Sequence, residues 1–272
     1  MSESKSATVI AITNQKGGVG KTTTAVNVAY FLAKAGANVL LIDFDPQGNA
    51  TSGLGIDKGE FKSESNAKGA PTILAAISGE VKLKKIIRDT KFERLSIAPA
   101  NSQLADAESG LAKQARRFQR LSDAIAPIAN EYDFILIDSP PSLSVLTVNA
   151  LIAAQYVLLP VQAEFYALEG LSQLLETMKL VRKGLNPTLG LLGVLTTMMD
   201  SRTALSQQVY IEIQKHFPGK VFDTTIPRNV RLAEAPSHGL PVGAYDKFSK
   251  GSRAYKSVAN EIIERVGWGN TA

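Results

Sequence analysis

Short β-branched runs separated by helical stretches predict a doubly wound, mainly parallel α/β sheet with helices on both faces. Two more observations support that class. A glycine-rich loop joins the first strand to the first helix. Two apolar strands also end in aspartate, at the edge where open α/β sheets hold ligands.

Taken in order, Thr8–Thr13 (TVIAIT) reads as a buried first strand. The helix after the loop spans Lys21 to Ala35, where Ala35-Gly36 stops it. Asn38–Asp43 forms the next strand, and Leu95–Pro99, Phe134–Asp138, Tyr156–Pro160 and Leu191–Thr196 are further strands. Helices are predicted over Phe118–Asn130, Ser144–Ala153, Glu164–Lys183 and Ser206–His216, with an amphipathic closing helix over Ser252–Val266. Lys58–Ala70 is polar, carries three lysines and reads as an exposed surface insertion. Nothing resembles a linker or a repeat, so residues 1–272 are expected to form one domain.

Composition narrows the class of protein. The chain is 44% hydrophobic and 20% charged, as soluble globular proteins are. No apolar run reaches the roughly 18–20 residues that span a bilayer. Met1–Ser6 lacks the apolar core of a secretory signal, and a cytoplasmic location is expected. With no cysteine, disulfides, thiolate metal sites and iron–sulfur clusters are excluded. The net charge is +5, and between Asp200 and Lys256 nine basic residues stand against five acidic ones. A phosphate backbone suits such a surface.

Gln15-Lys16-Gly17-Gly18-Val19-Gly20-Lys21-Thr22-Thr23 follows a strand and opens a helix, the context a phosphate-binding loop requires. Glycines let backbone N–H groups turn inward, and the helix N-terminus offers a positive end to phosphates. Lys21 is placed to reach the β- and γ-phosphates, and the Thr22 hydroxyl to ligate Mg²⁺. The general pattern asks for glycine five residues before Gly20, where this chain has Gln15; Lys16 adds a second lysine to the loop. That K-G-G-V-G-K-T run resembles the deviant Walker A motif of the ParA/MinD ATPases. The resemblance implies that ATP is bound by Lys16, Gly17, Gly18, Val19, Gly20, Lys21, Thr22 and Thr23. It also implies that Lys16 crosses a homodimer interface to the partner's nucleotide, so that ATP joins two subunits.

The carboxylates extend the pattern. Leu40–Asn49 (LLIDFDPQGN) sets Asp43 and Asp45 on the same side, at the carboxyl edge of the sheet. Similarity to the family's D-x-D-P-Q-G-N segment implies that Asp45 orients the attacking water, while Asp43 supports the magnesium and loop region. Phe134–Pro141 (FILIDSPP) follows the Walker B pattern, with Asp138 holding Mg²⁺ and Pro140-Pro141 opening a switch segment. Phosphoryl transfer needs positioning and charge neutralisation, so the two lysines, Mg²⁺ and a held water suffice, without His216 or His238.

The resemblance reaches the Soj-type branch through Pro140–Leu143 (PPSL), Pro160–Gly170 (PVQAEFYALEG) and Ile226–Pro236 (IPRNVRLAEAP). It implies that adenine lies near Met199-Asp200 and the Pro227–Asn229 turn, and that the helix beginning at Tyr166–Leu171 lies near the dimer and partner surface. It further implies a nucleoid-associated switch that binds double-stranded DNA non-specifically when dimeric, is stimulated by a ParB-like protein, and acts in chromosome or plasmid partitioning. The matching DNA-binding positions are Arg202 and Arg228 or Arg231, with Lys247, Lys250 and Arg253 as neighbours. A MinD-like membrane switch is the first alternative, and a positioner of another large cargo the second. The closing helix, with two glutamates and one arginine in Val258–Gly269, lacks the basic polar face of a membrane-binding helix. A carboxylating or amide-forming ATP enzyme needs a substrate site of its own, which nothing in the sequence signals.

Overall fold

A computed structural model describes residues 6–61, 69–106, 110–111, 114–164 and 171–269. Seven strands form one sheet: β1 (Thr8–Ile12), β2 (Val39–Asp43), β3 (Arg88–Asp89), β4 (Leu95–Ala98), β5 (Phe134–Asp138), β6 (Tyr156–Gln162) and β7 (Gly190–Thr197). Their spatial order is β3-β4-β2-β5-β1-β6-β7, parallel throughout except for the antiparallel β3–β4 pair. The chain winds to one side of β1 through β2 and to the other through β6, which makes the central strands a topological switch point.

Alternation within the strands builds a core on each face. Val9 and Ala11 of β1 join Ile135 and Ile137 of β5 in one apolar cluster; Ile10 and Ile12 join Phe134 and Leu136 in the other. Five longer helices cover these faces: α1 (Lys21–Lys34), α2 (Val145–Ala153), α3 (Leu171–Gly184), α4 (Ala204–His216) and α5 (Lys250–Val266). α1 and α5 share the second cluster through Val28, Leu32, Tyr255, Val258 and Ile262. The buried Tyr255 hydroxyl meets Thr24 Oγ1 at 3.1 Å and ties α5 to the start of α1. The apolar face of α5 is therefore covered by the protein itself, and Trp268 follows the Gly267 cap to pack on Phe134. No helix among the described residues is long and apolar enough to cross a membrane.

Several predicted boundaries move, each for a local reason. The helix expected over Phe118–Asn130 is α-helical only from Arg120 to Ile125 and continues as a 3-10 turn over Ala126–Glu131. Pro127 has no N–H to give the α-helical ladder. α4 and α5 each start two residues early, because the hydroxyls of Thr203 and Ser249 cap Ser206 N–H and Ser252 N–H. β3 escapes sequence reading because it is two polar residues held only by pairing with Ile97 and Ser96. Lys58–Ala70 is not wholly an exposed loop: Lys58–Phe61 is a 3-10 turn with Phe61 buried, and residues 62–68 lie outside the described set. The expected helix start at Tyr166–Leu171 lies outside it too, except for Leu171.

Candidate functional site

The carboxyl edge of the sheet gathers the predicted residues. β1 runs into the glycine loop, and in-register pairing sets Ile12 beside Asp138 and Asp43 beside Asp138. Gly18 (φ 76°) and Gly20 (φ 87°) adopt left-handed backbone that a Cβ disfavours. Gly20 caps α1 without a side-chain hydrogen bond, so the first N–H groups of that helix remain for a ligand. The loop is braced from outside. Thr197 Oγ1 donates to Val19 O at 2.8 Å, Asn14 Nδ2 donates to Pro160 O at 2.7 Å, and Asn14 Oδ1 accepts from Lys16 N–H at 3.0 Å.

Lys21 is buried, and its Nζ donates to Lys16 O at 3.1 Å, across the mouth of the loop. Burial lowers its pKa, an effect opposed by Asp138 and Asp45. Asp43 is fully buried and spoken for: Oδ2 accepts from the N–H and hydroxyl of Thr51, both at 2.7 Å, and Oδ1 from Asp45 N–H at 3.3 Å. Desolvation pushes its carboxyl up to about 6 despite those donors. Asp138 is the contrast. It is equally buried, yet neither carboxylate oxygen completes a well-formed hydrogen bond among the described residues, the Thr22 hydroxyl being its nearby side-chain donor. Burial first, then the Asp43 charge, raises its pKa well above the carboxylate range; the nearby Thr22 hydroxyl and Lys21 ammonium oppose the rise. A buried carboxylate left this way calls for a cation. With Thr22 beside it, Asp138 fits Mg²⁺, which takes few protein ligands and completes its shell with water and phosphate oxygens. The engaged oxygens of Asp43 instead tie β2 to the Asn49–Gly53 helical turn.

Asp45 sits at the head of a tight turn, where Oδ1 accepts from Gln47 N–H and its carbonyl from Gly48 N–H, each at 2.9 Å. Lys16 extends to the outer face, its Nζ 3.6 Å from Glu164 Oε2, both side chains about two-fifths exposed. Glu164 also takes Arg228 at 3.2 Å.

Beside the loop lies a cavity of about 320 Å³, lined by Gly20, Thr23, Met198, Pro227, Asn229 and Leu232, among others. Its volume and mainly apolar walls suit a flat heterocycle. Pro227 and Asn229 were expected here, but the neighbouring wall is Met198, at φ 51°, and not Met199-Asp200. Met199 is occupied by pairing, donating its N–H to Ile226 O and accepting Arg228 N–H. The Asp200 carboxylate is turned onto Arg202.

The six basic candidates fall into two kinds. Arg202 is held by Asp200, Arg228 by Glu164, and Arg231 by Glu234 and Asp246. Asp200 titrates near 2 because Arg202 donates to it. Lys247, Lys250 and Arg253 cluster at the start of α5 on exposed positions, and Lys247 stacks over the Phe248 ring. Thr197, Tyr255 and Glu164 were not singled out from sequence, since each acts through a partner more than 30 residues away; Met198 depends on its own backbone angle, and Thr51, eight residues after Asp43, was within motif range.

Residues 7–191 match the family model described as an AAA domain. The chain is 51% identical to the sporulation initiation inhibitor protein Soj of Bacillus subtilis, over 93% of this chain and 97% of that one. It is 49% identical to the chromosome partitioning protein ParA of Myxococcus xanthus, over 94% and 88%. The structure of Mycobacterium smegmatis cobyrinic acid a,c-diamide synthase with bound ATP analog and magnesium is similar at a TM-score of 0.82 and 35% identity, covering 97% of each chain. The Pyrococcus horikoshii septum site-determining protein MinD, complexed with Mg-ADP, shares the fold at a TM-score of 0.75 and 24% identity, over 98% of this chain and 100% of that one.

Proposed function

Since the chain belongs to the Soj/ParA family of chromosome-partitioning ATPases, we propose that it is an ATP-driven dimeric switch which holds DNA non-specifically and releases it on hydrolysis. It is an ATPase that uses ATP and Mg²⁺. The whole chain acts as one domain. The observation that carries the reading is Asp138, a buried carboxylate with no well-formed hydrogen bond, set beside Thr22, Lys21 and an uncapped α1 N-terminus.

In this reading the loop N–H groups from Gly17 to Thr23 and the Lys21 ammonium hold the phosphates, and the cavity at Pro227 and Asn229 takes the adenine. Thr22 and Asp138 hold Mg²⁺, which supplies neutralisation of phosphate charge. Asp43 keeps the loop in place through Thr51. Asp45 orients the attacking water. Lys16 leaves Glu164 for the nucleotide of the partner subunit; its exposed ion pair is weak enough to exchange, worth about 0–1 kcal/mol. Arg202, Arg228 and Arg231, with Lys247, Lys250 and Arg253, form the DNA surface, and a ParB-like protein stimulates turnover on the nucleoid. The likeness to a diamide synthase at 35% identity is weaker than that to the Soj and ParA proteins.

Gel filtration of Asp45→Ala with Mg-ATP, followed by a DNA titration in salt, tests the scheme. A dimer that binds DNA and turns over slowly is expected. A monomer at saturating Mg-ATP overturns the switch; rapid turnover removes Asp45 from its role.

A further inference from the structure

The turn that carries Asp45 is held from a second direction. Lys58 Nζ donates to Gln47 O at 3.0 Å, from a segment eleven residues downstream. The lysine stem crosses directly over Gly48: a Cβ there would stand 3.0 Å from Lys58 Cδ and 2.8 Å from Ala100 O. Only glycine, here at φ 62°, admits that approach. The lysine itself is anchored. Phe61, three residues on, is buried to 1% exposure, and its carbonyl accepts from Asn101 Nδ2 at 2.9 Å.

These contacts bear on the Asp45 carboxylate through one residue, Gln47, whose N–H and C=O belong to successive peptide units. Gln47 gives its N–H to Asp45 Oδ1, and its carbonyl is gripped by the Lys58 ammonium. Holding the Gln47 carbonyl narrows the φ/ψ range over which its N–H can swing from the carboxylate, and a charge-assisted hydrogen bond does the holding. We infer that Lys58 is a positioning residue for Asp45, held in place by the Lys58–Phe61 turn. The inference rests on the reading of Asp45 as the water-orienting group.

The clamp acts on geometry during hydrolysis and leaves the phosphate loop untouched. Displacements of about 1 Å in a reacting group can cost about 100-fold in rate, and loss of one of several constraints on the turn is expected to cost about tenfold. Intrinsic kcat and the Mg-ATP dissociation constant are measured for the parent, Lys58→Ala, Lys58→Arg, Asp45→Ala and the Lys58→Ala/Asp45→Ala double variant. Lys58→Ala is expected to lower kcat about tenfold with ATP affinity within twofold, and Lys58→Arg to restore most of the loss. The double variant is expected to turn over like Asp45→Ala, as two residues acting through one group do. Parental kcat in Lys58→Ala with Asp45→Ala inactive overturns the Lys58 assignment alone. So does a further loss in the double variant, or a loss that follows ATP affinity. Parental turnover in Asp45→Ala overturns both assignments.

Discussion

Replacing Asp138 with asparagine separates the cost of burying this carboxylate from its use. The parent buries two carboxylate oxygens without a well-formed hydrogen bond, next to Asp43 across the β2–β5 ladder. An unsatisfied buried polar group costs about 1–3 kcal/mol, and more when charged. Asn keeps the shape, removes the charge and ends the repulsion with Asp43, so a gain of ~2 kcal/mol is expected in the free protein at pH 7.5. At about 2.1 cal/mol/K of unfolding entropy per residue, a chain of 272 residues converts that gain into a rise of about 3–4 °C in Tm. The bound protein should behave oppositely. A non-hydrolysable ATP analogue with magnesium at about 100 times its Kd stabilises the parent by about 2.7 kcal/mol, roughly 5 °C. In Asp138→Asn the share of that shift which requires magnesium should vanish. Thermal melts followed by circular dichroism, run free, with analogue and EDTA, and with analogue and magnesium, read both effects. A free variant that melts below the parent, or a magnesium increment that survives the substitution, refutes the assignment of Asp138 as an uncompensated cation ligand.

Lys16→Ala should bind Mg-ATP as one subunit within a few fold of the parent yet fail to dimerise, as sedimentation with and without nucleotide will read. Its Tm should move by under about 2 °C, because the Glu164 pair is exposed. Arg202→Ala should weaken DNA binding and lower the slope of log K against log[salt] by about 0.9 per lost phosphate contact in each subunit. Asp200→Asn should strengthen binding, since it frees Arg202 from two hydrogen bonds of 2.9 and 2.8 Å. The same pair has a pH signature. The Asp200 pKa is lowered to about 2, so its contribution is full above about 4, the ordinary carboxylate value, and is lost as pH falls towards 2. Carboxyl NMR shifts should show the titration moving up in Arg202→Ala. Gly193→Ala should destabilise by about 1–3 kcal/mol, measured by urea titration, because its Cβ would meet Lys220 O and Arg265 Nη1 at 2.6 Å and Phe222 at 2.7 Å.

Much of this molecule was legible in its sequence because the relevant physics is local. β1, β2, β5, β6 and β7 are apolar runs within a residue or two of their predicted ends, and the helix after the glycine loop begins at Lys21 as expected. Asp43 and Asp138 could be placed at the sheet edge because a parallel strand ends there whatever its neighbours are. The two-residue β3 and the division of the 120–131 helix were less accessible, since one depends on a partner strand and the other on a single proline.

Sequence alone determined the sheet, the phosphate loop and the identity of the acids, because periodicity and contiguous motifs express backbone preferences that act within a few residues. Only the tertiary structure decided how alike acids differ: Thr51 satisfies Asp43, Asp138 has no well-formed hydrogen bond among the described residues, and Asp45 accepts from Gln47, whose carbonyl Lys58 holds. It likewise decided that Met198 lines the cavity beside the glycine loop and that Arg202, Arg228 and Arg231 already hold carboxylates. Solvation and pairing arise from groups brought together across the fold, and a linear pattern carries no record of which donors will arrive.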